Sequence, residues 1–222
     1  AWPEPERPDE VYCHGCLWRV DVDKKTKQIV STIWRRTGPN APPPPNPGGY
    51  AGHFRVVTAD NGTQLGWGMA GGSRGLVVYM RDGVVFKPIA GMIAPHEYPA
   101  LAEKWAGLQK QWESERIARH RRPRCLLWQD ANNDQAVQPD ETVVPPVGGK
   151  KSWCNWIGSD MTLWHDAGYR SAPVRVEDGR PVYDFTKMTK TPLRGGNANC
   201  ASFWFDKPQA DGIYFLRAGK PD

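Results

Sequence analysis

A chain of 222 residues is long enough for one large domain or two small ones. Its 23 Gly and 21 Pro, about twice the usual share, exclude a helix bundle or coiled coil, and the lack of any apolar run of about 18 residues excludes a membrane-spanning helix. With 39% hydrophobic residues and 11 Trp it is too apolar for a disordered chain, and the formal charge of +5 is modest. A single turn-rich, mostly β domain over residues 1–222 with an aromatic core is the expectation.

Residues 1–12 are acidic, Pro-rich and read as extended. Cys13-His14-Gly15-Cys16 follows, one of three readings open to it: a disulfide within the motif or to Cys154 or Cys200, half of a zinc site, or free thiols. Cys125 brings the total to five, an odd number, so one cysteine is left over from any disulfide framework. Ala1 is compatible with a mature N-terminus after signal cleavage, and this composition suits an exported protein, periplasmic or extracellular.

Leu17–Asp21 and Gln28–Trp34 read as strands around the polar turn DKKTK. Residues 38–49, GPNAPPPPNPGG, contain four consecutive prolines, which favour a stiff polyproline loop inserted in the domain. His53–Ala59 and Thr63–Ala70 are strands about an Asn61-Gly62 turn. Gly75–Met80 is a buried strand, and Asp82-Gly83 turns it into Val84–Ile89. Trp67, set among glycines, is the candidate for an exposed ring that stacks on carbohydrate.

Residues 98–122 read as one inserted amphipathic helix. Leu101, Trp105, Leu108 and Trp112 fall at spacings of four, three and four, a single apolar stripe. That stripe is too apolar for water and packs on the host sheet or on another chain. Glu103, Lys104, Lys110, Glu113 and Glu115 form the opposite, solvated face. The stretch Arg116–Arg124, RIARHRRPR, holds five arginines, and without them basic and acidic residues are equal in number. The chain is thus a neutral domain with one basic tract, which lacks the broad basic face of a nucleic-acid binder. The tract's simplest role is to complement the helix dipole, and docking of an acidic partner is the other.

Arg124–Trp128 is a strand leading into a polar loop. Trp153–Ile157 and Met161–Trp164 are short strands, Pro173–Val176 and Pro181–Phe185 flank an Asp178-Gly179 turn, and Ala201–Phe205 and Gly212–Arg217 close the chain. An aliphatic–aromatic pair ends a strand before a polar turn at Leu17-Trp18, Val78-Tyr79, Leu127-Trp128, Leu163-Trp164 and Ile213-Tyr214. The pairs recur at intervals of 36–61 residues, and units of about 40–50 residues, each a small antiparallel meander, are the pattern of β-propeller blades, with an ordinary β-sandwich with hairpins as the alternative. The fold class expected is therefore mostly β: antiparallel meander repeats, propeller-like or a partial propeller, with one inserted helix.

The segment 130–141, DANNDQAVQPDE, carries the chemistry. Asp130, Asn132, Asp134 and Glu141 fill positions 1, 3, 5 and 12 of the calcium-loop pattern D-x-[DN]-x-[DN]-G-x5-E. Ala136 at position 7 offers its carbonyl, Gln138 at position 9 binds directly or through water, and Val137 is the apolar anchor. Calcium takes about six to eight hard oxygens, and this loop supplies them from one short segment. Position 6 is Gln135 where the pattern has Gly, at a cost of about 1 kcal/mol if a left-handed backbone is needed there. The flanks are a strand and Pro145-Pro146, so the loop sits in a β framework with a structural role.

The run LLWQDANNDQAVQPDE, followed by Trp153-Cys154-Asn155-Trp156 and by Gly179-Arg180-Pro181-Val182-Tyr183-Asp184, resembles bacterial exported β-propeller proteins of the NHL-like kind. The resemblance spans residues 124–185. It implies a propeller fold and a calcium ion, and no activity, because propellers host binders, enzymes and scaffolds alike.

Catalytic constellations are missing or unconvincing: no H-E-x-x-H and no phosphate-binding Gly loop occurs. His165-Asp166 is the nearest thing to a base with its orienting acid, but adjacent strand residues face opposite ways. The expected function is an exported, calcium-stabilised interaction or assembly module with a protein partner. The alternatives are an enzyme on the same scaffold acting on a polysaccharide or small alcohol, and an accessory subunit of a larger complex.

Overall fold

The structure, a computed structural model, describes residues 2–4, 7–13, 15–32, 37–42, 54–70, 75–145, 156–165 and 169–190. The prolines at 43, 44, 45 and 47, the strands expected at 201–205 and 212–217, and Cys154 and Cys200 lie outside the described residues.

The described chain is mostly β, built from antiparallel meanders with one α-helix. The first sheet runs β1 (Trp2–Glu4), β2 (Arg7–Cys13), β3 (Cys16–Asp21) and β4 (Thr26–Thr32), each strand beside its sequence neighbour. The N-terminal residues expected only to be extended thus form two strands. β2 turns into β3 with Cys13 opposite Cys16, and Gly15 takes a φ of +74° in the turn. The two thiols are unbonded and half-buried.

The second sheet has six strands in chain order: β5 (Arg55–Thr58), β6 (Gln64–Ala70), β7 (Gly75–Asp82), β8 (Val85–Ile93), β9 (Leu126–Gln129) and β10 (Thr142–Val143). Asp82 pairs with Val85, so the two-residue loop is Gly83-Val84, one residue later than the Asp-Gly expectation. Gly83 alone of the pair has positive φ, +59°, which the first central position of a II′ hairpin turn requires. The third sheet joins β11 (Trp156–Ile157), β12 (Leu163–His165), β13 (Tyr169–Ser171) and β16 (Thr189–Lys190). Between them lies the hairpin β14 (Pro173–Glu177) and β15 (Arg180–Tyr183). Its turn, Asp178-Gly179, has positive φ at both residues, +49° and +81°, as a I′ turn demands.

The second sheet is buried on both faces. Successive residues Val77, Val78 and Tyr79 of β7 are each 0% exposed. Alternation sends Val77 and Tyr79 to one side, where Tyr12, Leu17, Phe86, Leu126 and Trp128 join them. It sends Val78 to the other, with Leu65, Ile89, Leu163, Tyr183 and Phe185. Residues of the first sheet thus share the core on one face of the six-stranded sheet, and residues of the third sheet the core on the other. A buried polar cluster ties the first to the second: Glu4 accepts from Tyr12, from Arg81 Nη1 at 3.1 Å and from Gln64 Nε2 at 3.3 Å. Trp67 is buried in the second cluster, contrary to the expected exposed platform. Its flanking glycines serve packing instead, since a side chain on Gly66 would run into the Phe54 ring.

The helix is α1 (Ala102–Ser114), much shorter than the 98–122 expected, and is entered through 3-10 turns at Pro95–Glu97 and Pro99–Leu101. It is inserted between β8 and β9, which are direct neighbours. It ends in a Schellman motif: Ile117 N–H donates to Trp112 O at 2.9 Å, Arg116 N–H to Glu113 O at 3.0 Å, and Arg116 takes a φ of +55°. The arginine tract follows the helix, and no basic residue occupies the last turn. Leu101 is buried in the first cluster and Trp105 and Leu108 pack against it, so the stripe covers the host sheet. Trp105 and Trp112 meet edge to face, with centroids 5.4 Å apart. Glu103, Lys110, Glu113 and Glu115 are solvated as expected; Lys104 is not, as described below.

Among the described residues no helix is long and apolar enough to cross a membrane.

Candidate metal centre

β9 is fully buried, and it delivers Asp130 to the end of the second sheet, where Asp130 N–H donates to Ile89 O at 2.9 Å. From there the chain leaves the sheet, circles through Asn132 and Asp134, and returns as β10. Val137, 0% exposed, plugs into the first core cluster as the anchor, and its N–H donates to Asn40 O at 2.9 Å. The loop is thus pinned at both ends and at its middle.

Within the loop the polar groups turn inward. Asp130 Oδ1 accepts the Asp134 N–H at 3.1 Å, Asn132 Oδ1 accepts the same N–H at 3.0 Å, and Asp134 Oδ1 accepts the Ala136 N–H at 2.8 Å. Two residues reach the left-handed region: Asn133, φ +63°, and Gln135, φ +62°. Gln135 therefore adopts the backbone that the pattern reserves for Gly at position 6. Glu141 closes the ring: Oε1 accepts from Ala131 N–H at 2.8 Å and Asn132 N–H at 3.3 Å, and Oε2 from the Trp128 indole at 3.0 Å.

Carboxylate oxygens of Asp130, Asp134 and Glu141 lie within 4.8 Å of one another, the one such metal-competent cluster among the described residues. Two oxygens bound to one calcium at about 2.3–2.6 Å can be no more than about 5 Å apart, so the three carboxylates fit a common ion of that size. Every donor is a hard oxygen, the ligand type of calcium and magnesium. Asn132 Oδ1 and the Ala136 carbonyl sit on the same turn. Gln138 Nε2 donates to Asp134 Oδ2, as does Asn132 Nδ2 at 3.1 Å, so Gln138 must turn its amide over to offer an oxygen.

Asp130 is the buried wall of the centre, Glu141 is half-buried, and Asp134 and Asn132 open to water. Asp130 Oδ2 is buried and accepts no hydrogen bond. Arg180 Nη2 lies 3.0 Å from it, an ion-pair distance without hydrogen-bond alignment, and donates instead to the Asp130 carbonyl. Burial pushes the Asp130 carboxyl up to about 6; Glu141 and Asp134 add to the rise, and Arg180 and the Gln135 N–H oppose it. Three carboxylates against one guanidinium leave two negative charges, the charge a divalent cation neutralises.

Of the expected ligand residues Asp130, Asn132, Asp134, Ala136, Gln138 and Glu141, the carboxylates of Asp130, Asp134 and Glu141 converge, and Asn132 and Gln138 hydrogen-bond to Asp134. Sequence reasoning missed Arg180, which comes from β15, and Trp128, whose indole orients Glu141. It also missed Lys104, placed on the solvated helix face: Lys104 Nζ donates to Pro139 O at 2.5 Å and Thr142 O at 2.7 Å, tying α1 to the end of the loop. Burial lowers its pKa. The side chain of His165 and all of Asp166 lie outside the described residues.

Comparison with protein-family models, with curated proteins and with solved structures finds no match.

Proposed function

We propose that the chain is a calcium-stabilised, propeller-like interaction or assembly module, exported to a compartment where calcium is plentiful. The observation that carries the reading is the convergence of Asp130, Asp134 and Glu141 within 4.8 Å on a loop whose position 6 is left-handed. The buried Asp130 Oδ2, which accepts no hydrogen bond, adds an independent reason for a cation at this place. The first two sheets run in chain order as antiparallel meanders, each strand beside its sequence neighbour, as propeller blades do, which supports the propeller reading. The ion's role is structural. It joins the buried end of β9 to β10 and, through Lys104, to α1. Weak extracellular calcium modules work at about 0.1–1 mM, and the Gln135 departure puts this loop in that class.

The test is thermal unfolding of the parent and of Asp130→Ala/Glu141→Ala with calcium and with chelator. The parent should melt higher in calcium, and the double variant should melt at one temperature in both. A parent indifferent to calcium and chelator would sink the reading.

A further inference from the structure

Among the described residues, the tract Arg116–Arg124 is a strongly charged feature that the fold leaves largely unused. The helix ends at Ser114, so the tract does not supply the charges of the last helical turn. Arg116 occupies the Schellman C′ position, and Arg119, His120 and Arg121 form a 3-10 turn beyond it. Arg122 alone is engaged, by Glu113 at 3.3 Å and by the Ile117 carbonyl at 2.9 Å. Arg116, Arg119, Arg121 and Arg124 are exposed and make no ion pair among the described residues, and His120 is exposed beside them. The nearby acids do not compensate them, because Glu115 accepts from Gln111 and Glu113 is taken by Arg122.

Four unpaired guanidiniums on one short ordered segment repel each other, and an unselected surface would intersperse the two signs. Arginine in place of lysine favours a planar, bidentate carboxylate partner and tolerates partial desolvation at an interface. Half-buried Ile117 and Pro123 put apolar surface between the charges. A nucleic acid or other long polyanion would extend past the tract onto the solvated face of α1, where Glu103, Glu113 and Glu115 outweigh Lys110, and be repelled. A short acidic segment would not.

We infer that residues 116–124 form the docking surface of the module for a short acidic segment of a partner protein. The inference rests on the interaction-module reading and names the partner's chemistry. The probe is a labelled peptide of about ten residues rich in Glu, followed by fluorescence anisotropy with the full chain; a single-stranded oligonucleotide and phosphatidylserine vesicles serve as competitors of other chemistry. The parent should bind the peptide, losing about tenfold in affinity between low and moderate salt. The Arg116→Glu/Arg119→Glu/Arg121→Glu/Arg124→Glu variant should lose at least about tenfold more, with an unchanged melting temperature and an unchanged calcium response. Absent binding, equal binding by parent and variant, or tighter binding of the oligonucleotide or vesicles by the parent overturns the inference. If binding is absent while calcium still raises the melting temperature, the docking surface falls and the metal centre stands. A peptide bound by the parent and lost by the variant, with no calcium response in either, supports the surface and removes the metal centre.

Discussion

Arg180 places Nη2 3.0 Å from Asp130 Oδ2, although the two residues are 50 apart in the chain. The contact carries the β14–β15 hairpin onto the loop, and it sets a tethered cation beside the deepest carboxylate of the centre. Among the described residues Arg180 is the cation that compensates that carboxylate. Removing one partner of a buried pair leaves an uncompensated charge, which costs about 3–5 kcal/mol, reduced where the carboxyl can take up a proton. Arg180→Met should therefore destabilise the chain by about 3 kcal/mol in chelator at neutral pH. Calcium should recover more of the loss than it adds to the parent, because the ion takes over the neutralisation. Urea unfolding of both proteins with and without calcium measures this; an equal calcium increment in the two would show that Arg180 and the ion do not share Asp130.

The Asp130 carboxyl gives the centre a pH dependence with a definite sign. Burial raises it from 3.8 to about 6, so between those values the folded chain holds a proton that the unfolded chain has released. Stability from this group is thus greatest below that window and falls as pH rises through it. Calcium must displace the same proton, so its affinity rises with pH up to about 6 and then levels off. The calcium-induced rise in melting temperature should be small at about pH 5 and large at about pH 7.5. A rise of the same size at both would place the ion elsewhere.

What the residues announced in advance was local. The loop was legible because its ligands are contiguous and their spacing follows from one backbone path. The I′ turn at Asp178-Gly179 and the buried run Val77–Tyr79 were legible for the same reason. The helix end was not: Arg116 takes a left-handed φ that usually calls for Gly, so no residue type marked the Schellman stop and the arginines read as helical. Trp67 looked exposed because of its glycine neighbours, which in fact admit Phe54. Arg180 and Lys104 were invisible as partners of the loop because their contacts depend on how the hairpin and the helix pack, which no short spacing encodes.

The buried stripe of α1 makes the helix part of the core. Trp112 is 6% exposed, and Trp105 rests edge to face on it. Large-to-small changes at such sites cost about 3–5 kcal/mol, and a charge placed there costs more. Trp105→Lys/Trp112→Lys should unfold the chain at a much lower urea concentration and, through Lys104, loosen the loop, weakening calcium binding as well. A double variant with unchanged stability would mean that the helix does not pack where it is placed.

Gln135 is the one position where the loop departs from its pattern, and its φ of +62° shows what the departure entails. Left-handed backbone costs an ordinary residue about 1–2 kcal/mol, because Cβ crowds the carbonyl. Glycine adopts it freely but loses more conformational freedom on folding, so the net gain from replacement is about 0.5–1 kcal/mol. The left-handed φ belongs to the folded loop, so relief should appear first as stability. Gln135→Gly is expected to raise unfolding free energy by that amount in chelator, since the constraint belongs to the fold. It is expected to raise calcium affinity only to the extent that the loop of the parent relaxes away from this geometry when the ion is removed. Measuring both separates the two: urea unfolding in chelator reads the first, and calcium titration the second. A stability gain with unchanged affinity would mean the loop is preorganised and that Lys104, Val137 and Arg180 hold it open for the ion. A destabilised variant would contradict the left-handed conformation at residue 135, and with it the loop geometry on which the metal centre depends.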